Sequence, residues 1–168
     1  MGHPVLRARA RELSAADVRT MALQKLIDDM IDTMVEYHGV GLAAPQVHEG
    51  LRLFVADLSA KDEEASEPVA LVNPEIVAVG TDLIEDWEGC LSIPEIRGRV
   101  PRAREIKVRA LDRQGGRIEL RAHGFPARVI LHETDHLDGV LFFDRMKSLE
   151  SLAFLDEYRR FWTQDDEE

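Results

Sequence analysis

The pentapeptide His132-Glu133-Thr134-Asp135-His136 contains residue types that can bind a metal ion and move a proton. On a helix of about 3.6 residues per turn, His132 and His136 lie one above the other, so both imidazoles can reach one ion. Glu133 then lies beside the ion without having to bind it. The alternative is a surface pair that stabilises the helix by about 0.2 to 0.5 kcal/mol. The mostly apolar run at 128–131 indicates a partly buried helix and favours the metal site.

A third protein ligand would complete a catalytic metal site, which keeps its fourth position open. Cys90 is the single cysteine of the chain and the only thiol available. It lies far from the histidines in sequence, so spacing alone does not establish a shared site. The alternative is that Cys90 is a small buried hydrophobic residue. Its neighbours Glu88 and Gly89 favour a site, because glycine permits close approach of the backbone and a carboxylate needs a partner.

A run of small residues at 39–46 ends in a single amide side chain. Two glycines and two alanines let the backbone approach another molecule closely, and Gln46 offers that molecule a hydrogen-bond donor. An ordinary glycine and proline turn between a helix and a strand explains the same residues. Taken alone, this run leaves both interpretations open.

The composition fits one soluble domain. The chain has 168 residues, 45% of them hydrophobic, which is enough for one domain with a core. Its 32 acidic and 21 basic residues give a net charge of −11, which disfavours binding to nucleic acid or anionic lipid. No apolar run is long enough for a signal peptide or a membrane span, and one cysteine excludes an intramolecular disulfide. We expect one domain over residues 1–168 in the cytoplasm, with no nucleic-acid or membrane partner.

Local patterns predict the elements that must position these side chains. Ser14 and Asp17 mark the start of an N-terminal amphipathic helix, which Gly39 ends in a left-handed conformation. Residues 57–68 form an acidic loop. The predicted strands span 51–57, 69–79 (as one or two strands), 81–87, and a hairpin of 104–112 with 117–121.

Glycine and proline set the remaining boundaries. Residues 93–101 are predicted to be a proline-punctuated loop. The metal-binding helix begins after Gly124-Phe125-Pro126 and stops near Gly139. A C-terminal amphipathic helix is predicted from about 148 to 162, followed from about 163 by an acidic, disordered tail.

Three motifs occur in a fixed order in this chain: GVGLAAPQ at 39–46, EGCLS at 88–92 and HETDHLDG at 132–139. Together they resemble the three motifs of peptide deformylases, and the segments SIPE at 92–95 and RALDRQG at 109–115 are similar too. This family removes the formyl group from the N-terminal methionine of newly made proteins and releases formate. The resemblance implies an α+β fold, with antiparallel β-sheets packed around a central metal-binding helix and with an N-terminal and a C-terminal helix.

The resemblance also implies a role for each motif residue. The implied metal ligands are Cys90, His132 and His136. Metal-activated water would attack the formyl carbon, with Glu133 as general base and acid. The implied donors to the oxyanion are the side chain of Gln46 and the backbone N–H of Leu91. The implied substrate-binding residues are Val40, Gly41, Glu88 and Gly89.

The resemblance implies Fe²⁺ as the working ion, with Zn²⁺, Ni²⁺ or Co²⁺ able to occupy the same ligands. Two other functions are compatible with the residues. A metallopeptidase uses the same two histidines and glutamate, although its third ligand is usually histidine or a carboxylate. The other is a noncatalytic protein that holds a metal and binds formylated or acylated peptides. The presence of both Glu133 and Gln46 argues against this function, because binding alone needs no base.

Two features depart from the family pattern. Leu131 stands where many members have glutamine, so a polar contact behind the metal ligands is expected to be missing. Loss of such a contact can lower activity or metal affinity by roughly 10 to 100-fold. From Leu149 onward the chain has seven acidic and two basic residues. RNA phosphates repel such a segment, so we expect N-formylmethionyl peptides as partners and no ribosome contact through the C-terminus.

Overall fold

The computed structural model describes residues 1–59 and 67–163. Most of the predicted acidic loop at 57–68, and nearly all of the predicted disordered tail, lie outside these residues. Within them, two antiparallel β-sheets and four α-helices form the predicted α+β fold. None of the helices in these ranges is both long and apolar enough to cross a bilayer.

The predicted N-terminal helix is two helices, α1 (Ala15–Val18) and α2 (Met21–Glu36). Ser14 caps α1 as predicted, since its hydroxyl accepts from the backbone N–H of Asp17 and the Asp17 carboxylate accepts in return. The helix does not continue because Thr20 acts as a second N-cap, accepting from Leu23 at 3.3 Å.

Helix α2 ends one residue earlier than predicted. The left-handed residue is His38, with φ 54°, and not Gly39. The backbone N–H of Gly39 donates to the carbonyl of Met34, which closes the last turn. One apolar face of α2 is buried, through Leu23, Ile27, Met30 and Met34, which confirms that the helix is amphipathic.

In chain order the strands are β1 (Gly41–Ala43), β2 (Leu53–Ala56), β3 (Val69–Val79), β4 (Leu83–Cys90), β5 (Ile93–Ala103), β6 (Glu105–Leu111), β7 (Arg117–His123) and β8 (Ala153–Phe154). The larger sheet has the order β1-β2-β3-β6-β7, and the smaller has the order β4-β5-β8. The predicted hairpin is confirmed as β6 and β7, and Ile106, Val108 and Ala110 are buried on one face of β6. Strand β3 runs through Asn73-Pro74 as one strand, with the pairing to β6 shifting there.

The prediction of a loop at 93–101 is wrong. These residues belong to β5, which pairs with β4 on one side and with β8 only at Ile96 and Arg97 on the other. Pro94 and Pro101 lie outside the β8 pairing, where a missing N–H removes no bond to that strand. The prolines that indicated a loop in the sequence therefore lie in a strand, at positions where β8 does not pair with it.

Helix α3 (Phe125–Leu137) packs against strands of both sheets. It begins at Phe125, two residues earlier than predicted, with Pro126 in its first turn, and it ends as predicted, with left-handed Gly139 just beyond its end. Nine of its thirteen residues are buried. The C-terminal helix, α4 (Leu155–Phe161), is shorter than the predicted 148–162, because residues 153–154 extend along β5 as β8.

Replacement of Gly139 by alanine should destabilise the end of α3. Gly139 has φ 72°, and an added Cβ would lie 2.5 Å from the carbonyl oxygen of Arg7. We expect Gly139→Ala to lower the free energy of unfolding by about 1 to 3 kcal/mol in a denaturant titration. The control Gly50→Ala, where nothing lies within 4 Å of the new Cβ, should change it by less than about 0.5 kcal/mol. Equal stabilities for the two variants would contradict this account of Gly139.

Candidate active site

The end of β4 and the C-terminal half of α3 bring the three predicted metal ligands together. One ligand atom each from Cys90, His132 and His136 lies within 4.8 Å of the others. The Cys90 Sγ and the His136 Nε2 are 3.3 Å apart. Metal bonds to sulfur and imidazole nitrogen are about 2.0 to 2.3 Å long, so donors this close fit a single ion. A buried thiol and two imidazoles are also the donor types that transition metals favour.

The two histidines differ in their electrostatic environment. Burial lowers the pKa of His136 to about 3, which keeps its ring neutral, the form that binds a metal. Burial also lowers the pKa of His132, but hydrogen bonds with Cys90 and Glu88 outweigh it and raise the value to about 10. The proton on the ligand nitrogen of His132 must therefore leave when a metal binds.

The carboxylate of Glu88 orients His132. It lies 2.9 Å from the His132 Nδ1, so the other ring nitrogen is directed to the ligand cluster. Arg102 donates to both oxygens of Glu88, at 2.9 and 3.0 Å, and Arg128 donates to one of them at 2.7 Å. Burial raises the pKa of Glu88, but the hydrogen bonds from His132 and Arg102 outweigh it and hold the pKa well below its usual value.

A chain of ion pairs continues from Glu88 to the surface. Arg102 donates to the Asp135 carboxylate at 2.5 Å, and Arg145 donates to the same carboxylate at 2.7 and 3.1 Å. Glu88, Arg102 and Asp135 are buried, whereas half of the Arg145 side chain is exposed. Asp135 belongs to the histidine motif and lies on α3, so this chain fixes the helix as well as the ligand.

Sequence reasoning did not identify Arg102, Arg128 or Asp135 as parts of the site. Arg128 stood in a run that was interpreted as apolar, and it is buried. The only sequence signal is that charged residues interrupt otherwise buried elements. That signal does not identify their partners, because Arg128 lies 40 residues from Glu88 in the chain.

Glu133 lies beside the ligand cluster, next to Gly41 of β1. A Cβ built on Gly41 would overlap the Glu133 carboxylate, so only glycine leaves room for that group. Burial raises the pKa of Glu133 to about 7. Its Oε2 is buried and has no hydrogen-bond partner among the described residues, so it remains available to a proton donor.

Gln46 is held with its NH₂ group toward the cluster. Its Oε1 accepts from the backbone N–H of Ala43 at 2.8 Å, which fixes the orientation of the amide. Its Nε2 then lies 3.5 Å from the Cys90 Sγ and 3.2 Å from the Ser92 hydroxyl. Ser92 is a further contact that the sequence did not indicate.

A cavity of about 670 Å³ opens onto these groups. Every predicted site residue except His136 lines it, and His136 lies behind at the ligand cluster. Val40 and Leu91 are partly exposed at this cavity. Gly89 makes room for a neighbour, because a Cβ there would overlap the guanidinium of Arg97. The carboxylate of Glu88 is occupied by its three partners, so its predicted role in substrate binding stays a prediction.

Leu131 is half-buried and packs against the apolar core between α3 and the larger sheet. The Nδ1 of His136 and the hydroxyl of Thr134 are buried and have no hydrogen-bond partner among the described residues. An apolar side chain at 131 offers neither group a hydrogen bond. The expected loss of a polar contact at position 131 stays a prediction.

Replacement of Arg128 by methionine should weaken the orientation of His132 without removing any of the three predicted metal ligands. The guanidinium donates to Glu88 and to the carbonyls of Val100 and Ile84, and methionine can replace only its apolar stem. We expect Arg128→Met to lower the free energy of unfolding by about 3 kcal/mol and metal affinity by about tenfold. Denaturant and metal titrations measure the two effects.

Arg145→Met is the matched control, because Arg145 belongs to the same ion-pair chain but is half exposed. We expect Arg145→Met to lower the free energy of unfolding by less than about 1 kcal/mol. If the two variants lost equal stability and kept equal metal affinity, Arg128 would have no special part in holding Glu88.

Residues 1–152 match the family model for polypeptide deformylase. Peptide deformylase 2 of Nostoc sp. is 41% identical over 167 residues, covering 97% of this chain and 92% of that protein. Peptide deformylase of Salinibacter ruber is 47% identical over 155 residues, covering 88% of this chain and 78% of that protein.

Solved structures give the same result. A class I type b peptide deformylase from Acinetobacter baumannii, with Met-Ala-Ser bound, is 39% identical with a TM-score of 0.83 over 87% of this chain and 94% of that one. Peptide deformylase from Thermotoga maritima is 42% identical with a TM-score of 0.81 over 88% and 95%. The chain therefore belongs to the polypeptide deformylase family, and it is an enzyme.

Proposed function

We propose that this enzyme removes the formyl group from the N-terminal formylmethionine of newly made proteins and releases formate. The supporting observation is that Glu133 and Gln46 border the same cavity as Cys90 and His132. A metal-binding cluster, a carboxylate and a fixed hydrogen-bond donor in one cavity are the groups that amide hydrolysis requires. The tripeptide Met-Ala-Ser, bound to the Acinetobacter baumannii relative, is what deformylation of formyl-Met-Ala-Ser would leave.

Cys90, His132 and His136 would hold one divalent ion, for which we propose Fe²⁺, with Zn²⁺, Ni²⁺ or Co²⁺ able to replace it. When bound, the ion supplies Lewis-acid chemistry, lowering the pKa of water and polarising the formyl carbonyl. A thiolate donor makes such a site sensitive to oxidation. That sensitivity favours a reducing compartment, and we propose the cytoplasm.

Glu133 moves the proton. Its carboxylate accepts a proton from the attacking water and returns it to the nitrogen of methionine as the bond from that nitrogen to the formyl carbon breaks. The contact with Gly41 fixes one side of the carboxylate, and Oε2 is the oxygen available to water. Formate and a free α-amino group are the products.

Two donors stabilise the negative charge that grows on the formyl oxygen. The Nε2 of Gln46 is one, because the Ala43 N–H holds that amide in a single orientation. The backbone N–H of Leu91, next to Cys90, is the other. Loss of one such donor typically costs about 100 to 1,000-fold in rate.

The remaining residues of the cavity bind the peptide. Val40, Gly41 and Gly89 would contact the methionine residue and its backbone, as the family motifs imply. Glu88 would act mainly on His132, because its carboxylate is already bound by Arg102 and Arg128. The acidic segment after Leu149 offers no support for contact with ribosomal RNA, so the proposed partner is the formylated peptide itself.

Replacement of Glu133 by glutamine should separate proton transfer from metal binding. The enzyme loaded with Fe²⁺ without oxygen should release formate from formyl-Met-Ala-Ser. Glu133→Gln should lower kcat at least about 100-fold, because the amide cannot accept the proton, while metal content stays the same. Cys90→Ala should instead lose the metal. Absence of formate from the wild-type enzyme, or release of free amino acids from Met-Ala-Ser, would contradict deformylation and favour a peptidase.

Replacement of Gly41 by alanine should impair the same step by a steric route. The new Cβ would overlap the Glu133 carboxylate and push it from its position, so kcat should fall about tenfold or more with metal content unchanged. Gly39→Ala is the comparison, since the nearest atom to its Cβ would be the flexible end of Leu91, at 2.9 Å, and the next two atoms would lie at an ordinary contact distance of 3.5 Å. A larger loss in Gly39→Ala than in Gly41→Ala would contradict the role given to the contact between Gly41 and Glu133.

A further inference from the structure

The segment after residue 152 lies beside the cavity of the proposed reaction. The family match ends at residue 152, and strand β8 and helix α4 follow it. Leu155, the first residue of α4, lines the same cavity as Cys90 and Glu133. The substrate cavity therefore includes a side chain from outside the segment that matches the family model.

Backbone and side-chain bonds hold this segment against the smaller sheet. Strand β8 pairs with Ile96 and Arg97 of β5. The hydroxyl of Ser151 accepts a hydrogen bond from the backbone N–H of Arg99 at 3.1 Å. These bonds fix the start of α4 next to Arg97, which also lines the cavity. The position of Leu155 is thus set by the sheet and not by α4 alone.

Aromatic packing fixes the rest of α4 over β4. The ring of Trp87 lies 4.8 Å from the ring of Tyr158 and 5.6 Å from that of Trp162, with both pairs tilted. Tilted aromatic pairs at such distances stabilise the packing beyond the effect of burial alone. Trp87 lines the cavity as well. Trp87 and Leu155 therefore form one apolar side of the cavity.

The position of Trp87 along β4 relates this apolar side to the substrate. Trp87 and Cys90 are three residues apart on β4, a separation of about 10 Å at about 3.3 Å per residue. An extended peptide advances by a similar distance per residue, so a peptide that has its formyl group at Cys90 and runs along β4 toward Trp87 would bring its second or third residue level with Trp87. A cavity of about 670 Å³ has room for these residues in addition to methionine.

We propose that Leu155 is a specificity-determining residue, which contacts the side chain of the second or third residue of the formylated peptide and favours an apolar residue there. The inference rests on the proposed deformylation and names the part of the substrate, beyond methionine, that this site distinguishes. Leu155 offers only apolar surface, so a charged residue beside it would lose hydration without gaining a partner.

The test compares formyl-Met-Ala-Ser with peptides in which leucine or aspartate replaces alanine or serine. The wild-type enzyme should have the highest kcat/KM for the leucine peptides. Leu155→Ser should lower kcat/KM about tenfold for the best leucine peptide and less than about twofold for formyl-Met-Ala-Ser. Leu155→Trp, whose larger side chain fills the space, should also lower kcat/KM for the leucine peptide and should leave kcat/KM for formyl-Met-Ala-Ser nearly unchanged. Leu152→Ser is the matched control, since Leu152 immediately precedes this segment and does not line the cavity, and it should keep the wild-type preference.

Equal changes for large and small peptides in both Leu155 variants, or no change in either, would overturn the proposal. A wild-type preference for aspartate over leucine would overturn it too. If no peptide released formate, the proposed function would fail, but the inference could still be tested by calorimetric binding of Met-Leu-Ser and Met-Ala-Leu to the metal-loaded protein. Tighter binding of the leucine peptides than of Met-Ala-Ser, lost in Leu155→Ser, would support it, and equal binding would contradict it.

Discussion

The site depends on one buried carboxylate, that of Glu88. A carboxylate removed from water is costly unless charged partners and hydrogen bonds compensate for its lost hydration. Arg102 and Arg128 provide that compensation, and His132 takes the remaining position through its Nδ1. The buried carboxylate that these groups stabilise therefore also sets the orientation of His132, a predicted metal ligand. Removal of either arginine would leave a buried charge that is no longer balanced.

The architecture brings distant parts of the chain to this carboxylate. Glu88 and Cys90 come from β4 in the smaller sheet, and the histidines come from α3, which packs against both sheets. Strand β1, at the edge of the larger sheet, contributes Gly41 next to Glu133. The predicted metal ligands and Glu133 thus come from β4 and α3, Gln46 follows β1, and the packing of α3 against both sheets sets their spacing.

Local chemistry made some of this predictable from the sequence. The bounds of α3 follow from Pro126 and Gly139, and the pairing of His132 with His136 follows from the helical repeat. Long-range partners were not predictable, because Arg102 and Arg128 pair with Glu88 across 14 and 40 residues. The prolines in β5 wrongly indicated a loop, because the pairing of neighbouring strands decides that boundary, and the second cap at Thr20 was not predicted.

The proposed chemistry requires that Cys90 and the two histidines bind the same ion. X-ray absorption spectroscopy of the protein loaded with Fe²⁺ or Zn²⁺ measures this most directly, because sulfur and nitrogen neighbours scatter differently. We expect one sulfur at about 2.3 Å and two imidazole nitrogens at about 2.0 to 2.1 Å, with light atoms completing the coordination. A metal environment without sulfur, or with only one imidazole, would contradict the assignment of Cys90, His132 and His136 as ligands of one ion.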